Sequence, residues 1–154
     1  MQIADLLTPR AVIPQLRVTG RKQALQEIAR RAAAVTGCGE RQIYDVLAER
    51  ERFGSTGIGR GVAVPHGKLL ELNRMYGVFA RLERPILFEA IDDQPVDLIF
   101  VLLAPADARS EHLTALAMVS RLLRDRTICE KLRGTDKADA LYALLTDRTE
   151  SHAA

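Results

Sequence analysis

The chain has 154 residues, 47% of them hydrophobic and 27% charged, with a formal net charge of +2. This length and composition are typical of one soluble domain with its own core. No apolar run is long enough to span a bilayer, no signal peptide begins the chain, and the basic residues are scattered rather than grouped with aromatics. We therefore expect a cytoplasmic protein that neither inserts into membranes nor binds nucleic acid.

The first part of the chain is predicted to be mainly helical. A short helical turn over residues 3–7 is followed by an extended stretch over 12–18. Apolar residues at helical spacing predict a first long helix over 20–36, which ends at Gly37, and a second over 40–53.

The rest of the chain combines strands with helices. A glycine-rich loop comes first, and the strands predicted after it cover residues 62–64, 76–82 and 96–104. The last of these is almost continuously apolar, which is typical of a central strand covered on both faces. The helices predicted to follow cover residues 111–124, 128–132 and 138–145. This order predicts one α/β sandwich domain over 1–148, and we expect 149–154 to be a disordered tail.

His66 lies in the segment 64–68, directly after a proline. Because proline cannot donate to a sheet ladder, we expect the strand over 62–64 to end at Pro65 and to leave His66 at its carboxyl end. Gly67 has no side chain to shield the imidazole, and reacting groups in open α/β sheets cluster at carboxyl strand ends. The pattern indicates a reactive histidine, although a surface histidine in a turn fits the same residues.

His112 lies one turn into the helix predicted over 111–124. Its neighbours at +3, +4 and +7 are Ala115, Leu116 and Val119, which put it on the core-facing stripe. A helix N-terminus disfavours a positive imidazolium, and a neutral ring there can donate at one nitrogen and accept at the other. A half-buried core histidine is the simpler interpretation of this position alone.

Arg50 occupies a core-facing position of the second helix, seven residues after Ile43 at the start of the apolar stripe. The guanidinium should point inward or toward the glycine-rich loop. Arginine is a good phosphate ligand because it is planar, permanently charged and rich in donors. The alternatives are a head group that reaches solvent and an ion pair with Glu49 or Glu51.

The glycine-rich loop over 54–61 could bind an anion, since glycines expose backbone N–H groups. It lacks the Gly-Lys-Ser/Thr ending of a nucleotide-binding P-loop, and no Gly-x-Ser-x-Gly elbow surrounds Ser55 or Thr56. The histidines and cysteines have no spacing typical of a metal site. We therefore predict neither a metal nor a cofactor.

Taken together, these residues resemble a known active-site signature. The enzyme IIA family of the bacterial phosphotransferase system, above all its nitrogen-regulatory branch, carries a run similar to Gly54-Ser55-Thr56-Gly57-Ile58-Gly59-Arg60-Gly61-Val62-Ala63-Val64-Pro65-His66-Gly67-Lys68. The mannitol/fructose type is a near relative. Residues 92–98 and 111–113 resemble later segments of the family, and the similarity runs from about residue 3 to residue 145.

The resemblance implies both a fold and an active site. The fold is a mixed β-sheet flanked by helices on both faces of a single α/β domain. His66 matches the phosphorylated histidine, His112 a second active-site histidine that supports it, and Arg50 the family's active-site arginine.

Further phosphate contacts are expected from the signature itself. Gly67, Ser55 and Thr56 are the candidates within the motif. Many family members carry Asn where this chain has Arg60. That arginine could contact the phosphoryl group or a docking partner, or it could be a solvated loop charge.

The family also implies partners. The donor would be a phosphorylated HPr-like carrier and the acceptor Nε2 of His66. Because the chain shows no fused sugar-specific domain and no membrane segment, we expect a regulatory role, with targets such as potassium transport systems or sensor kinases. The alternatives are a sugar-specific relay that passes phosphate to a IIB component and a binding module that is never phosphorylated.

Overall fold

The structure, a computed structural model, describes residues 1–147, so the predicted tail over 149–154 lies outside the described residues. The helices are α1 (Ile3–Leu6), α2 (Arg21–Thr36), α3 (Glu40–Arg52), α4 (Ser110–Arg124), α5 (Arg126–Arg133) and α6 (Ala138–Thr146). The strands are β1 (Val12–Leu16), β2 (Gly57–Gly59), β3 (Val62–Ala63), β4 (His66–Leu69), β5 (Tyr76–Ile86) and β6 (Val96–Pro105). Every predicted helix is present, and α2 ends as predicted at Gly37, which adopts a left-handed conformation.

The apolar strand β6 is the centre of a mixed sheet. The strand order is β1-β5-β6-β3-β2, and β4 pairs with β6 further along the same edge as β3. β5 runs antiparallel to β6, whereas β3 and β4 run parallel to it. Residues 98–104 of β6 are all buried, which confirms the prediction of a strand covered on both faces.

Helices cover the sheet in two layers, as the family resemblance implies. On one face α2 packs against β5, and α3 packs against both α2 and β4. On the other face α4 contacts β6 and α6 contacts β1, with α5 between these helices. No helix among residues 1–147 combines the length and the apolarity needed to cross a membrane. The contact between α3 and β4 is the one that positions the candidate site.

The edge of the sheet beside β6 differs from the prediction. Pairing with β6 stops after Ala63 and resumes at His66, which lies opposite Leu102. Pro65 has no N–H group, but its carbonyl oxygen accepts a hydrogen bond from the N–H of Leu102 at 2.9 Å, so the chain stays beside β6. The strand predicted over 62–64 therefore ends before His66, as expected, but the expectation that His66 is left at a carboxyl strand end is wrong, since His66 begins β4. The glycine-rich loop is also partly a strand, because β2 pairs with β3.

Candidate active site

Helix α3 brings Arg50 to His66 at the start of β4. The Nε–H group of Arg50 donates to Nε2 of His66 at 3.2 Å, and Nη1 donates to the carbonyl oxygen of Gly54 at 2.8 Å. Arg50 is half-buried, and it forms no ion pair with Glu49, Glu51 or any other carboxylate in the described part of the chain. Arg50, which was predicted to face inward, thus places its guanidinium group against the imidazole of His66.

The hydrogen bonds of His66 define its tautomer. Its Nδ1 lies 3.0 Å from the carbonyl oxygen of Val64, which can only accept. Its Nε2 receives a hydrogen from Arg50, which can only donate. The consistent arrangement is a neutral ring with its hydrogen on Nδ1 and its free electron pair on Nε2.

The surroundings of His66 favour this neutral form. Burial lowers the pKa of His66 below its ordinary value, and the positive charge of Arg50 lowers it further. The hydrogen bond to Val64 and the negative charge of Glu51 act in the opposite direction without cancelling the shift. The ring therefore remains an uncharged nucleophile over a wider pH range than a free histidine.

His112 lies beside His66, with the two ring centroids 5.4 Å apart and the rings tilted by 58°. Burial lowers the pKa of His112, and the charges of His66 and Lys68 lower it further. Its Nδ1 is buried and has no hydrogen-bond partner among residues 1–147. A hydrogen on Nδ1 would be an unsatisfied buried donor, so the favoured neutral ring carries its hydrogen on Nε2.

A buried carboxylate behind the site holds the loop that follows α3. Glu51 is only 6% exposed, and it accepts hydrogen bonds from the backbone N–H of Thr56 at 3.1 Å and from the hydroxyl of the same residue. It also forms an ion pair with Arg21 of α2 at 3.6 Å. Sequence reasoning named Glu51 only as a possible partner of Arg50 and missed its buried role, although its place eight residues after Ile43 lies on the same apolar stripe.

The hydroxyl groups of Ser55 and Thr56 are both used inside the fold. Ser55 donates to the carbonyl oxygen of Phe88 at 2.8 Å and accepts from the N–H of Gly57 at 3.0 Å, while Thr56 donates to Glu51. A hydroxyl has a single hydrogen to donate. In this structure neither side chain can therefore donate to a phosphoryl oxygen, and both instead fix the glycine-rich loop.

Gly67 has a structural role in addition to the predicted one of leaving the imidazole open. A Cβ atom at Gly67 would lie 2.1 Å from Cγ1 of Val46 in α3, far inside van der Waals contact. The absent side chain therefore makes room for α3 on β4. This close approach lets Arg50 reach His66.

Arg60 is not brought to the imidazoles. The carbonyl oxygen of its neighbour Gly61 accepts from the N–H of Leu98, whereas His66 lies opposite Leu102. Four residues of strand separate these two points on β6, a distance of about 13 Å. Arg60 instead lines a pocket beside α5.

The assembled groups suit the transfer of a phosphoryl group to nitrogen. A neutral imidazole presents its electron pair beside a permanent cation, and a second neutral ring lies next to it. Such reactions depend on positioning and on stabilising the charge of the phosphoryl oxygens, for which guanidinium donors are well suited. Within residues 1–147, no group of three or more His, Cys, Asp or Glu side chains is placed to hold a metal ion.

Comparison with known proteins agrees with this chemistry. The family model described as phosphoenolpyruvate-dependent sugar phosphotransferase system, EIIA 2, matches residues 5–148. The chain belongs to this enzyme IIA family. It is 54% identical over 145 residues to a nitrogen regulatory protein of Bradyrhizobium diazoefficiens, in an alignment that covers 94% of this chain and 95% of that one.

Solved structures of the family share the fold. Nitrogen regulatory protein IIA-Ntr from Neisseria meningitidis matches with a TM-score of 0.88 at 32% identity, over 94% of this chain and 99% of that one. Enzyme IIAMTL of Escherichia coli, solved in a complex with phosphorylated enzyme IIBMTL, matches with a TM-score of 0.77 at 20% identity, over 93% and 100% of the two chains. The resemblance to the IIA family and its nitrogen-regulatory branch is thereby confirmed.

Proposed function

We propose that this IIA-family protein is a cytoplasmic regulatory phosphoryl carrier, which accepts a phosphoryl group on Nε2 of His66 from a phosphorylated HPr-like carrier. The hydrogen bonds of the imidazole carry this proposal. Val64 holds the ring hydrogen at Nδ1, and Arg50 lies against Nε2, so the free electron pair is next to the best available phosphate ligand.

The transfer exchanges one nitrogen–phosphorus bond for another. The electron pair on Nε2 of His66 attacks the phosphorus, and the bond to the donor imidazole breaks with its electrons returning to the donor nitrogen. The hydrogen on Nδ1 stays in place. The ring gains a positive charge, which the carbonyl oxygen of Val64 stabilises through this hydrogen bond. Because the phosphoryl group is bonded to a histidine both before and after the transfer, the step requires neither a nucleotide nor a metal.

Two groups would bind the phosphoryl oxygens. Arg50 exchanges its hydrogen bond with Nε2 for bonds to these oxygens. His112 donates from the side through Nε2, whereas the parallel pairing of β4 with β6 directs the backbone N–H of Gly67 to Leu102 and away from the phosphoryl group. The roles expected for the hydroxyls of Ser55 and Thr56, and for Arg60, are not part of this proposal, because their positions do not serve it.

The proposed docking surface for the carrier surrounds these residues. Phe53, which is 81% exposed, follows Arg50 by three residues, and Leu113, which is 67% exposed, follows His112 directly. A carrier docked here would bury these two side chains, and removing apolar surface from water favours association. Targets such as potassium transport systems or sensor kinases would bind the same surface in only one phosphorylation state.

Incubation with a phosphorylated HPr-like carrier tests the acceptor. The wild-type protein should take up acid-labile, base-stable phosphate, and His66→Ala should take up none while keeping its fold. His112→Gln should slow the transfer, because one donor to the phosphoryl oxygens is lost. Uptake by His66→Ala at the wild-type level would sink the proposal.

A second experiment tests the regulatory role. Unmodified and phosphorylated protein are compared in pulldowns against candidate targets, and binding should differ between the two states. Equal binding would favour a module that ignores phosphorylation. Rapid transfer of the phosphoryl group from this protein to a sugar-specific IIB component would favour the relay.

A further inference from the structure

We propose that an arginine-lined pocket, separate from the candidate active site, binds a small multivalent phosphate anion of the phosphate or diphosphate class. The pocket lies between the turn that joins β2 to β3 and helices α4 and α5, and its volume is about 210 Å³. Its charged lining consists of Arg60, Arg124, Arg126, Arg133 and Glu130.

Three of the four arginines around this pocket have a guanidinium group with no partner among residues 1–147. Most arginines among residues 1–147 donate to a carboxylate or to a backbone carbonyl. The guanidinium groups of Arg60, Arg124 and Arg126 have no such partner in the described residues. Unpaired like charges around one cavity repel each other, and a multivalent anion bound between them removes that repulsion.

One wall of the pocket is fixed before any ligand arrives. Arg133 donates from Nε to both carboxylate oxygens of Asp97 at 3.0 and 2.9 Å, and from Nη2 to the carbonyl oxygen of Arg60 at 2.8 Å. A Cβ atom at Gly61 would lie 2.6 Å from that Nη2, so glycine provides the space for Arg133. A wall that is already ordered lowers the entropy cost of binding.

The turn also keeps an arginine where its backbone is unfavourable. Arg60 has a φ of 56°, a left-handed conformation that favours Gly and Asn, and its N–H group is held by Asp92 at 2.9 Å. The arginine side chain therefore does not serve the turn itself. It does add a positive charge to the pocket.

The size of the pocket limits the ligand. Sites for drug-sized ligands are roughly 300–1,000 Å³, so 210 Å³ suits a phosphate or a diphosphate but not a whole nucleotide. Asp125 already caps α5 by accepting from the N–H groups of Thr127 and Ile128 at 3.0 and 3.3 Å. These two N–H groups are thus not available to an anion, so guanidinium groups must supply its contacts. The negative charge of Glu130 opposes anion binding.

Calorimetric titration of the full chain with inorganic diphosphate tests this site, with inorganic phosphate as the second probe. In the double variant Arg124→Gln/Arg126→Gln the dissociation constant should rise ~10-fold or more, because contacts to a charged ligand are lost. In Glu130→Gln it should fall, because the opposing charge is gone. The control is Arg121→Gln, which removes another exposed arginine of α4 that lies outside the pocket and has no ion-pair partner among the described residues, and it should change little.

The site is separable from the proposed phosphorylation of His66. Arg50→Gln should bind diphosphate like the wild type, and amide shifts in NMR spectra should change around 124–133 rather than around His66. Loss of binding in Arg50→Gln would assign the anion to the active site and overturn the proposal. Equal weakening by Arg121→Gln and by the double variant, or no saturable binding by the wild type, would overturn it as well.

Discussion

Arg50 donates its Nε hydrogen to Nε2 of His66 over 3.2 Å, so a cation covers the nitrogen that we propose as the nucleophile. This contact selects the tautomer with the hydrogen on Nδ1 and lowers the pKa of the ring. It must also break before a bond to phosphorus can form. Arg50 would therefore act twice, first by keeping the imidazole neutral and then by binding the phosphoryl oxygens.

Arg50→Gln should separate these two effects. Phosphoryl uptake from the HPr-like carrier should fall by about 100-fold, the size typical for a lost donor to transition-state charge. The pKa of His66 should rise, because the charge of Arg50 lowers it. NMR titration of the imidazole measures the pKa. The control is Arg52→Gln, since Arg52 is exposed and its ion pair goes to Glu49. Unchanged transfer and an unchanged pKa in Arg50→Gln would show that the contact has no role.

Glu51→Gln should move the same pKa in the opposite direction. The charge of Glu51 raises the pKa of His66, so its removal should lower that pKa. The variant should also lose about 2 kcal/mol of stability, because a buried carboxylate that accepts two bonds from Thr56 is replaced. A looser loop around Gly54 should slow the transfer, since Gly54 holds Arg50.

Glu49→Gln is the matched control for this experiment, because Glu49 lies on the exposed side of the same helix. It should leave the pKa of His66, the stability and the transfer rate close to wild type. If Glu49→Gln and Glu51→Gln gave equal shifts, the buried position of Glu51 would have no special effect.

The parts of the fold that follow from local spacing could be predicted from the sequence. Helices α2 and α4 each carry one apolar stripe, and β6 is apolar almost throughout, so each pattern reports its own burial. The break at Pro65 was predicted, but the return of the chain to the sheet at His66 could not be predicted in this way. It depends on the carbonyl oxygen of Pro65 meeting Leu102, which is far away in the sequence.

The candidate site shows the same division. Arg50 and His112 could be singled out because they interrupt apolar stripes. Ser55 could not be interpreted correctly, since the partner that uses its hydroxyl, Phe88, lies 33 residues away. The structural need for glycine at Gly67 could not be predicted either, because Val46 approaches it only when α3 packs on β4.

Gly67→Ala should destabilise the protein by about 1–3 kcal/mol, because the new methyl group overlaps Val46. It should also raise the pKa of His66, since displacing α3 moves Arg50 away. Urea unfolding measures the first effect and NMR titration the second. Adding Val46→Ala should restore part of both. A double variant that is as unstable as the sum of its two single variants would show that this contact is not the cause.

Acidification should destabilise the protein through His66 and His112. Burial is the main cause of the lowered pKa of both rings, so the unfolded chain binds protons on these residues more readily than the folded one. Stability is therefore complete above the ordinary histidine pKa of about 6.5, and it is lost as the pH falls through that value toward the lower pKa values of the folded state. Urea unfolding at about pH 7.5 and about pH 5.5 measures this loss. The double variant His66→Asn/His112→Asn should lose less stability between the two pH values than the wild type, and an equal loss in both proteins would assign the pH dependence to other groups.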